Sequence, residues 1–244
     1  MLTYVRRQEL EPLMVLDPVL HYYPLLACRR EPNAPITAWR DGSGVISGAL
    51  IPCDPPGRAW IIGASDEIIA ALVEEIPPES AVTIPLWAEH VVKRVLPDRI
   101  FSTEALAVCT AGSIQAPAPR PGFTIMPVEV DPGGVSRVAA AAPARVAHIG
   151  CIAGTELAGY CTYWIDGQGA GSIERLAVAE EYLRADIGKT ILAAAAAAVL
   201  GEGERVIFAA AGDNQTALGA ARSVGFRACY WLRCAAPQSL SSGE

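Results

Sequence analysis

Between Ser172 and Leu192 the chain reads Ser-Ile-Glu-Arg-Leu-Ala-Val-Ala-Glu-Glu-Tyr-Leu-Arg-Ala-Asp-Ile-Gly-Lys-Thr-Ile-Leu. A strand-like run passes through an abrupt loop into a helix that opens on Ile187-Gly188-Lys189. A strand feeding a helix through a tight loop aims several backbone N–H groups at one spot, and the helix dipole adds positive potential there. Such a spot suits phosphate. Asp186 stands just before the helix, where Asp is a favoured N-cap, so its carboxylate is expected on the amides a phosphate would otherwise take. Arg184 and Lys189 lie within reach of the same loop and offset that charge. On the strand, Glu174 and Arg175 alternate onto different faces.

This segment resembles the central motif of the GNAT superfamily of acyl-CoA-dependent N-acyltransferases. The usual form of that motif is a strand ending in Leu-x-Val, then Pro-Glu-Tyr, then Arg-Gly-x-Gly-Ile-Gly-x-x-Leu. The resemblance implies that the strand end Leu176-Ala177-Val178 splays from its neighbour, and that its free backbone groups bond the pantetheine arm as an added strand would. It also implies that Arg184, Ala185, Asp186, Ile187, Gly188 and Lys189 cap the pyrophosphate of acetyl-CoA, or another acyl-CoA, used as cosubstrate. Leu183 stands where the family usually has Arg or Gln, and Arg184 and Asp186 where it often has glycine. Asp186 bears most on binding, because a glycine there lets the backbone approach the diphosphate with no side chain in the way.

Asn214 to Phe226, Asn-Gln-Thr-Ala-Leu-Gly-Ala-Ala-Arg-Ser-Val-Gly-Phe, resembles the family's second motif. Asn214, Ala217, Gly225 and Phe226 match, and Asn214 joins the cofactor-binding set. Ala221 occupies the place of a Tyr that often protonates the departing CoA thiolate, so another donor or water must do so. The family often carries its general base on the strand before the loop, which makes Glu174 the catalytic candidate, reaching the amine through water. The resemblance thus implies an N-acyltransferase whose acceptor is an amine of a small molecule or peptide. The alternative is a catalytically inactive GNAT-fold protein with a binding or assembly role, in which Asp186 and Ala221 mark a lost reaction.

The elements that must position these residues follow the Pro-rich segment 116–122, Ala-Pro-Ala-Pro-Arg-Pro-Gly, which resists both helix and central strand and reads as a linker. After it the pattern predicts strands at 123–130, 145–153, 157–165 and 171–178, with a short helix at 131–142 and an Asp166-Gly167 hairpin turn. A helix at 187–200 with six consecutive alanines, a strand at 205–210, a helix at 214–224 and a closing strand at 226–234 complete the order of a GNAT domain. A fainter copy of that order precedes the linker: strands 36–39, 45–52 and 60–63, helix 66–76, strand 81–87, helix 88–96 and a strand within 100–110. The expected fold is therefore α/β in the α+β sense: two GNAT-like domains, 1–115 and 123–244, each a mixed, mostly antiparallel sheet flanked by helices. In the first, Trp60 to Gly63 runs through Ala64-Ser65 straight to Asp66-Glu67 with no glycine-rich turn, so that copy is expected to hold no pyrophosphate. Trp39, Trp60, Trp87, Tyr22 and Tyr23 are candidate walls for an acceptor pocket, with plain core as the competing reading.

The bulk properties of the 244 residues narrow the partners. A formal net charge of −7 without a Lys or Arg block argues against nucleic acid. No apolar stretch reaches the roughly 20 residues that span a bilayer, and no signal-like segment follows Met1, so the expectation is a cytoplasmic protein without a membrane partner. Seven scattered cysteines without a Cys-x-x-Cys pair read as reduced thiols, and the three histidines offer no metal spacing. We expect no metal. An exposed edge of either sheet offers a surface for a homodimer.

Overall fold

The computed structural model of the chain describes residues 1–53, 57–117, 120–129, 145–166, 169–183 and 185–238. The expected helix 131–142, Gly167 of the expected turn and Arg184 lie outside the described residues. The chain forms two compact units, Met1–Glu104 with Trp231–Glu244, and Ala105–Tyr230.

The first unit runs β1 (Leu2–Arg6), α1 (Glu11–Met14), α2 (Tyr22–Arg30), β2 (Pro35–Arg40), β3 (Ile46–Cys53), β4 (Arg58–Gly63), α3 (Asp66–Glu74), β5 (Ala81–Pro85), α4 (Glu89–Val95) and the opening of β6 (Ile100–Thr110). Strands β1 to β4 pair antiparallel in sequence order, and β4 meets β5 in parallel through Arg58–Trp60 alone. Helix α3 makes the crossover. Its start is sharp because the Ser65 hydroxyl accepts from the Ile68 amide at 3.4 Å, with Asp66 and Glu67 in the first turn. Ile69, Leu72 and Val73 of α3 pack on Val82, Ile84, Val91 and Val92. The sequence pattern marks no element before Ile36, yet β1, α1 and α2 build a core of their own around Leu10, Met14, Cys28 and Ile51. Pro12 and Pro24 hide those helices from a pattern reading, although a proline in the first turn costs a helix little. Tyr22 and Trp60 are buried, Tyr23 stacks on Trp60 at 5.9 Å between centroids, and Trp87 is half exposed.

The second unit takes β6 from Ala105 onward, then β7 (Phe123–Pro127), β8 (Arg145–Ala153), β9 (Glu156–Ile165), β10 (Ala170–Val178), α5 (Ile187–Leu200), β11 (Arg205–Ala211) and α6 (Gln215–Val224). Strands β7 to β10 are antiparallel neighbours in sequence order, β10 pairs in parallel with β11, and β6 lies beside β11. The alanine run lets α5 lie close on the sheet, with Ile187, Ile191, Leu192, Ala195 and Val199 in one cluster with Cys161, Tyr163, Ile173 and Val206. Gly225 ends α6 at φ 105°, and a Cβ there would stand 1.9 Å from the Ser113 carbonyl oxygen, so glycine serves both the left-handed cap and the crossing of 113–115.

The last strand, β12 (Arg227–Ala236), alters the division expected from the linker. Its residues Leu232–Ala235 pair antiparallel with Ile84 and its neighbours on β5, so the chain's end completes the first unit while β6 completes the second. The compact units are therefore cut differently from the segments 1–115, 116–122 and 123–244. A closing strand needs only a free edge beside a parallel pair, and both halves of this chain present one. Four of the cysteines, Cys28, Cys109, Cys151 and Cys161, are buried free thiols, and Cys229 is exposed. No helix among the described residues is long and apolar enough to cross a membrane.

Candidate functional site

The two flanks of β10 are unlike. Against β9 it is paired from Gly171 to Val178, whereas its parallel register with β11 ends at Ile173 opposite Phe208. From Glu174 to Val178 no described strand covers the β11 side, which leaves an open edge of five residues in the middle of the second unit. The separation starts at a bulge: Ile173 faces Tyr163 and Arg175 faces Thr162, with Glu174 as the extra residue between them. A bulge bends a strand and re-aims its side chains, which accounts for the divergence and sets Glu174 at the fork. Glu174 is half-buried and Arg175 exposed, with the guanidinium 5.7 Å from the Tyr160 ring centroid. Nearby, His148 Nδ1 lies 3.0 Å from the Thr162 hydroxyl.

The open edge leads to the start of α5. Leu176 and Val178 reach toward Gly188, where an added Cβ would stand 3.6 Å from Val178 Cγ2 and 3.9 Å from Leu176 Cδ2. Below the strand end, Gly159 admits close approach of β9, since a Cβ there would lie 2.7 Å from the Ala177 carbonyl oxygen. A short turn, Glu180–Tyr182, links β10 to the helix. Tyr182 fastens it, its hydroxyl donating to Glu156 at 3.3 Å and its ring meeting Phe123 edge-on at 5.9 Å.

Asp186 departs from the sequence expectation. It is the one described non-glycine residue in the left-handed region, at φ 56°, and its side chain makes no capping bond to the helix. That conformation puts the backbone carbonyl of Asp186 in the accepting position for the Lys189 and Thr190 amides, at 3.1 and 3.3 Å, and turns the carboxylate outward. There Lys189 Nζ stands 3.0 Å from one carboxylate oxygen and Arg120 Nη2 3.0 Å from the other. Lys189 foremost, with Arg120, holds the Asp186 carboxyl below its usual range. No described residue accepts from the amides of Ile187 and Gly188. Ala185, Ile187, Thr190 and Arg120 line a small recess with Phe123, Ile125 and Cys151.

Glu174, the strand end 176–178, Ala185, Asp186, Ile187, Gly188 and Lys189 thus fall along one path, from the fork to the helix start. Asn214 stands elsewhere in role: its side chain accepts from the Ala217 amide at 2.9 Å as the N-cap of α6. Ala221 is buried in the core. Arg120 escaped the sequence reading because it lies in the Pro-rich segment, 66 residues before Asp186, with nothing local to mark it.

The divided strand, the bulge and the helix start all lie in one stretch of the chain that a known family matches. Residues 123–226 match the Acetyltransferase (GNAT) family. They form a GNAT-family domain. No curated protein matches the chain as a whole or in part. Among solved structures, the chain is similar to a tandem GNAT protein from the clavulanic acid biosynthesis pathway, at 14% identity and a TM-score of 0.61, covering 97% of this chain and 98% of that one. It is similar to a Drosophila protein at 11% identity and a TM-score of 0.65, covering 96% and 98%. A GCN5-related N-acetyltransferase from Sphaerobacter thermophilus matches at 10% identity and a TM-score of 0.64, over 96% of this chain and 94% of that one. At these identities the likeness is one of fold, and it extends over both units. The chain is a tandem of GNAT-like folds, each a mixed, mostly antiparallel sheet flanked by helices. Family and fold support N-acyl transfer from an acyl-CoA in general.

Proposed function

We propose that the second unit binds acetyl-CoA, or another acyl-CoA, and transfers its acyl group to an amine of a small molecule or peptide. The observation that carries this reading is the departure of β10 from β11 after Ile173, which leaves the Glu174–Val178 edge open beside the start of α5. The fit to the cofactor is chemical. An extended pantetheine arm carries amides that pair with an open strand edge, and a diphosphate pairs with the helix start, where the Ile187 and Gly188 amides have no described acceptor. The net charge of −7 favours such a small or peptidic acceptor over nucleic acid.

Acyl-CoA supplies the thioester. Glu174, at the fork, is the proposed general base: its carboxylate takes a proton from the amine, directly or through one water, as the nitrogen attacks the thioester carbonyl. The C–N bond forms, the C–S bond breaks, and the CoA sulfur takes its proton from water, since Ala221 offers none. The open β10 edge orients the acyl group against the amine, which is where much of the rate is gained.

The first test is thermal unfolding with and without acetyl-CoA, since ligand at 100 times its dissociation constant adds about 2.7 kcal/mol to the folded state. A rise in midpoint that CoA reproduces, followed by acceptor-dependent release of free CoA thiol, supports the reading. An unchanged midpoint at millimolar ligand refutes it. The second reading, a binding or assembly protein without catalysis, draws on Asp186 and Ala221, and it predicts a midpoint shift with no thiol release for any amine.

A further inference from the structure

The charged cluster at the start of α5 bears on how the proposed cofactor would enter. Asp186 uses one carboxylate oxygen for Lys189 and the other for Arg120, both at 3.0 Å, and all three side chains are partly exposed. One carboxylate thus bridges two cations drawn from distant parts of the sequence, leaving an excess of one positive charge. A phosphate offers the same kind of target, with several anionic oxygens that accept from separate donors, and the Arg120 fork suits it better than it suits one carboxylate oxygen. Both cations sit on the residue that precedes the Ile187 and Gly188 amides, and Arg120 lines one recess with Ala185, Ile187 and Thr190. An ordinary strap between the pre-β7 segment and α5 would need only one of these pairs.

Resting on the acyl-CoA reading above, we propose that Arg120 and Lys189 are ligands for the cofactor diphosphate, and that Asp186 is a tethered placeholder which the diphosphate displaces from them. The carboxylate keeps both cations positioned in the empty state, which reduces the ordering they undergo on binding. Its tether makes it a permanent competitor, so affinity is lower than the same loop with a neutral residue would give. Entry of the diphosphate exchanges two carboxylate contacts for phosphate contacts and releases the Asp186 side chain to solvent. No covalent change is involved.

The test is calorimetric titration of the full chain with CoA and with 3′-dephospho-CoA, using wild type, Asp186→Asn, Arg120→Ala and the double variant. Asp186→Asn is expected to tighten CoA about tenfold and Arg120→Ala to weaken it about tenfold, the scale of one charge-assisted contact. The Arg120→Ala loss should persist in the Asp186→Asn background and be the same for dephospho-CoA. An Arg120→Ala protein that melts earlier but binds CoA as tightly as wild type makes Arg120 a mere strap and overturns the proposal. Disappearance of the Arg120 effect in the Asp186→Asn background also overturns it, because Arg120 would then only neutralise Asp186. Loss of the effect with dephospho-CoA assigns Arg120 to the 3′-phosphate and overturns the diphosphate placement. If neither wild type nor Asp186→Asn binds CoA, the acyl-CoA reading itself falls, and the placeholder with it.

Discussion

Two glycines on either side of the β10 strand end should respond to alanine in opposite directions. At Gly159 an added Cβ meets backbone: the Ala177 carbonyl oxygen at 2.7 Å and Val178 Cα at 3.1 Å, with Ile191 Cδ1 also at 3.1 Å. Strand atoms cannot rotate out of the way as a side-chain tip can, so the Ala177–Val178 end must retreat by roughly half an ångström from β9. Overpacking of that kind costs about 1–3 kcal/mol, which for a chain of this size lowers the unfolding midpoint by about 2–12 °C. The retreat also moves the open edge that the acyl-CoA reading assigns to pantetheine, so CoA affinity should fall as well. At Gly188 the added Cβ finds Val178 Cγ2 at 3.6 Å and Leu176 Cδ2 at 3.9 Å, ordinary contact. Replacing a glycine early in a helix by alanine there should add about 0.5–1 kcal/mol and leave the backbone amide in place. The assay is thermal unfolding of Gly159→Ala and Gly188→Ala beside wild type, each repeated with CoA. Equal midpoints for the two variants would refute the packing argument, and a destabilised Gly159→Ala with unchanged CoA affinity would detach the strand end from the cofactor.

Other outcomes follow from charge and burial. Glu174→Gln should lower the rate of acceptor-dependent thiol release by about 10²–10⁴ while CoA affinity stays nearly constant; equal turnover would remove Glu174 from the mechanism. In the first unit, His90 Nε2 lies 2.7 Å from an Asp66 carboxylate oxygen and Nδ1 2.9 Å from the Trp87 carbonyl, so both nitrogens face acceptors, which favours the protonated ring and raises its pKa, chiefly through Asp66. A raised pKa gives stability that is complete below the unfolded value near 6.5 and is lost as pH climbs through the folded value. The midpoint difference between wild type and His90→Gln should therefore be largest below about pH 6 and shrink toward pH 8 and above; a difference that grows with pH would contradict the geometry. Burial pushes the Cys28 thiol up to about 12 and the Cys161 thiol higher still, so an alkylating reagent at pH 8 should label Cys229 in the folded protein and reach Cys28 and Cys161 only after unfolding. Mass spectrometry of the labelled chain checks this, and prompt labelling of Cys161 would show that the α5–sheet core opens readily.

Local signals in the sequence suffice for most of the second unit, and the resemblance to the GNAT motif for the path of its candidate site. Strand-like runs with turn signals at Gly154, Asp166-Gly167 and Gly225 locate β8, β9, β10 and β12 to within two residues, and the alanine run stopped by Gly201 locates α5. Those signals are legible because each is written in consecutive residues: pleat, helical propensity and turn chemistry act within a few positions. The prolines of 12, 18 and 24 break that local writing, and β1, α1 and α2 come from tertiary packing around Leu10 and Met14 instead. Three decisions belong to the tertiary structure alone. The halves complete one another's sheets through β6 and β12, because any free edge accepts a strand with the right alternation and sequence order does not say which. The resemblance implies that the end of β10 splays, but that it leaves β11 at Ile173 is set by a bulge at Glu174, a matter of register between two strands and not of either sequence. Asp186 turns from the helix it precedes toward Arg120 and Lys189, because a left-handed backbone and a cation 66 residues away outcompete the local cap that its residue type favours.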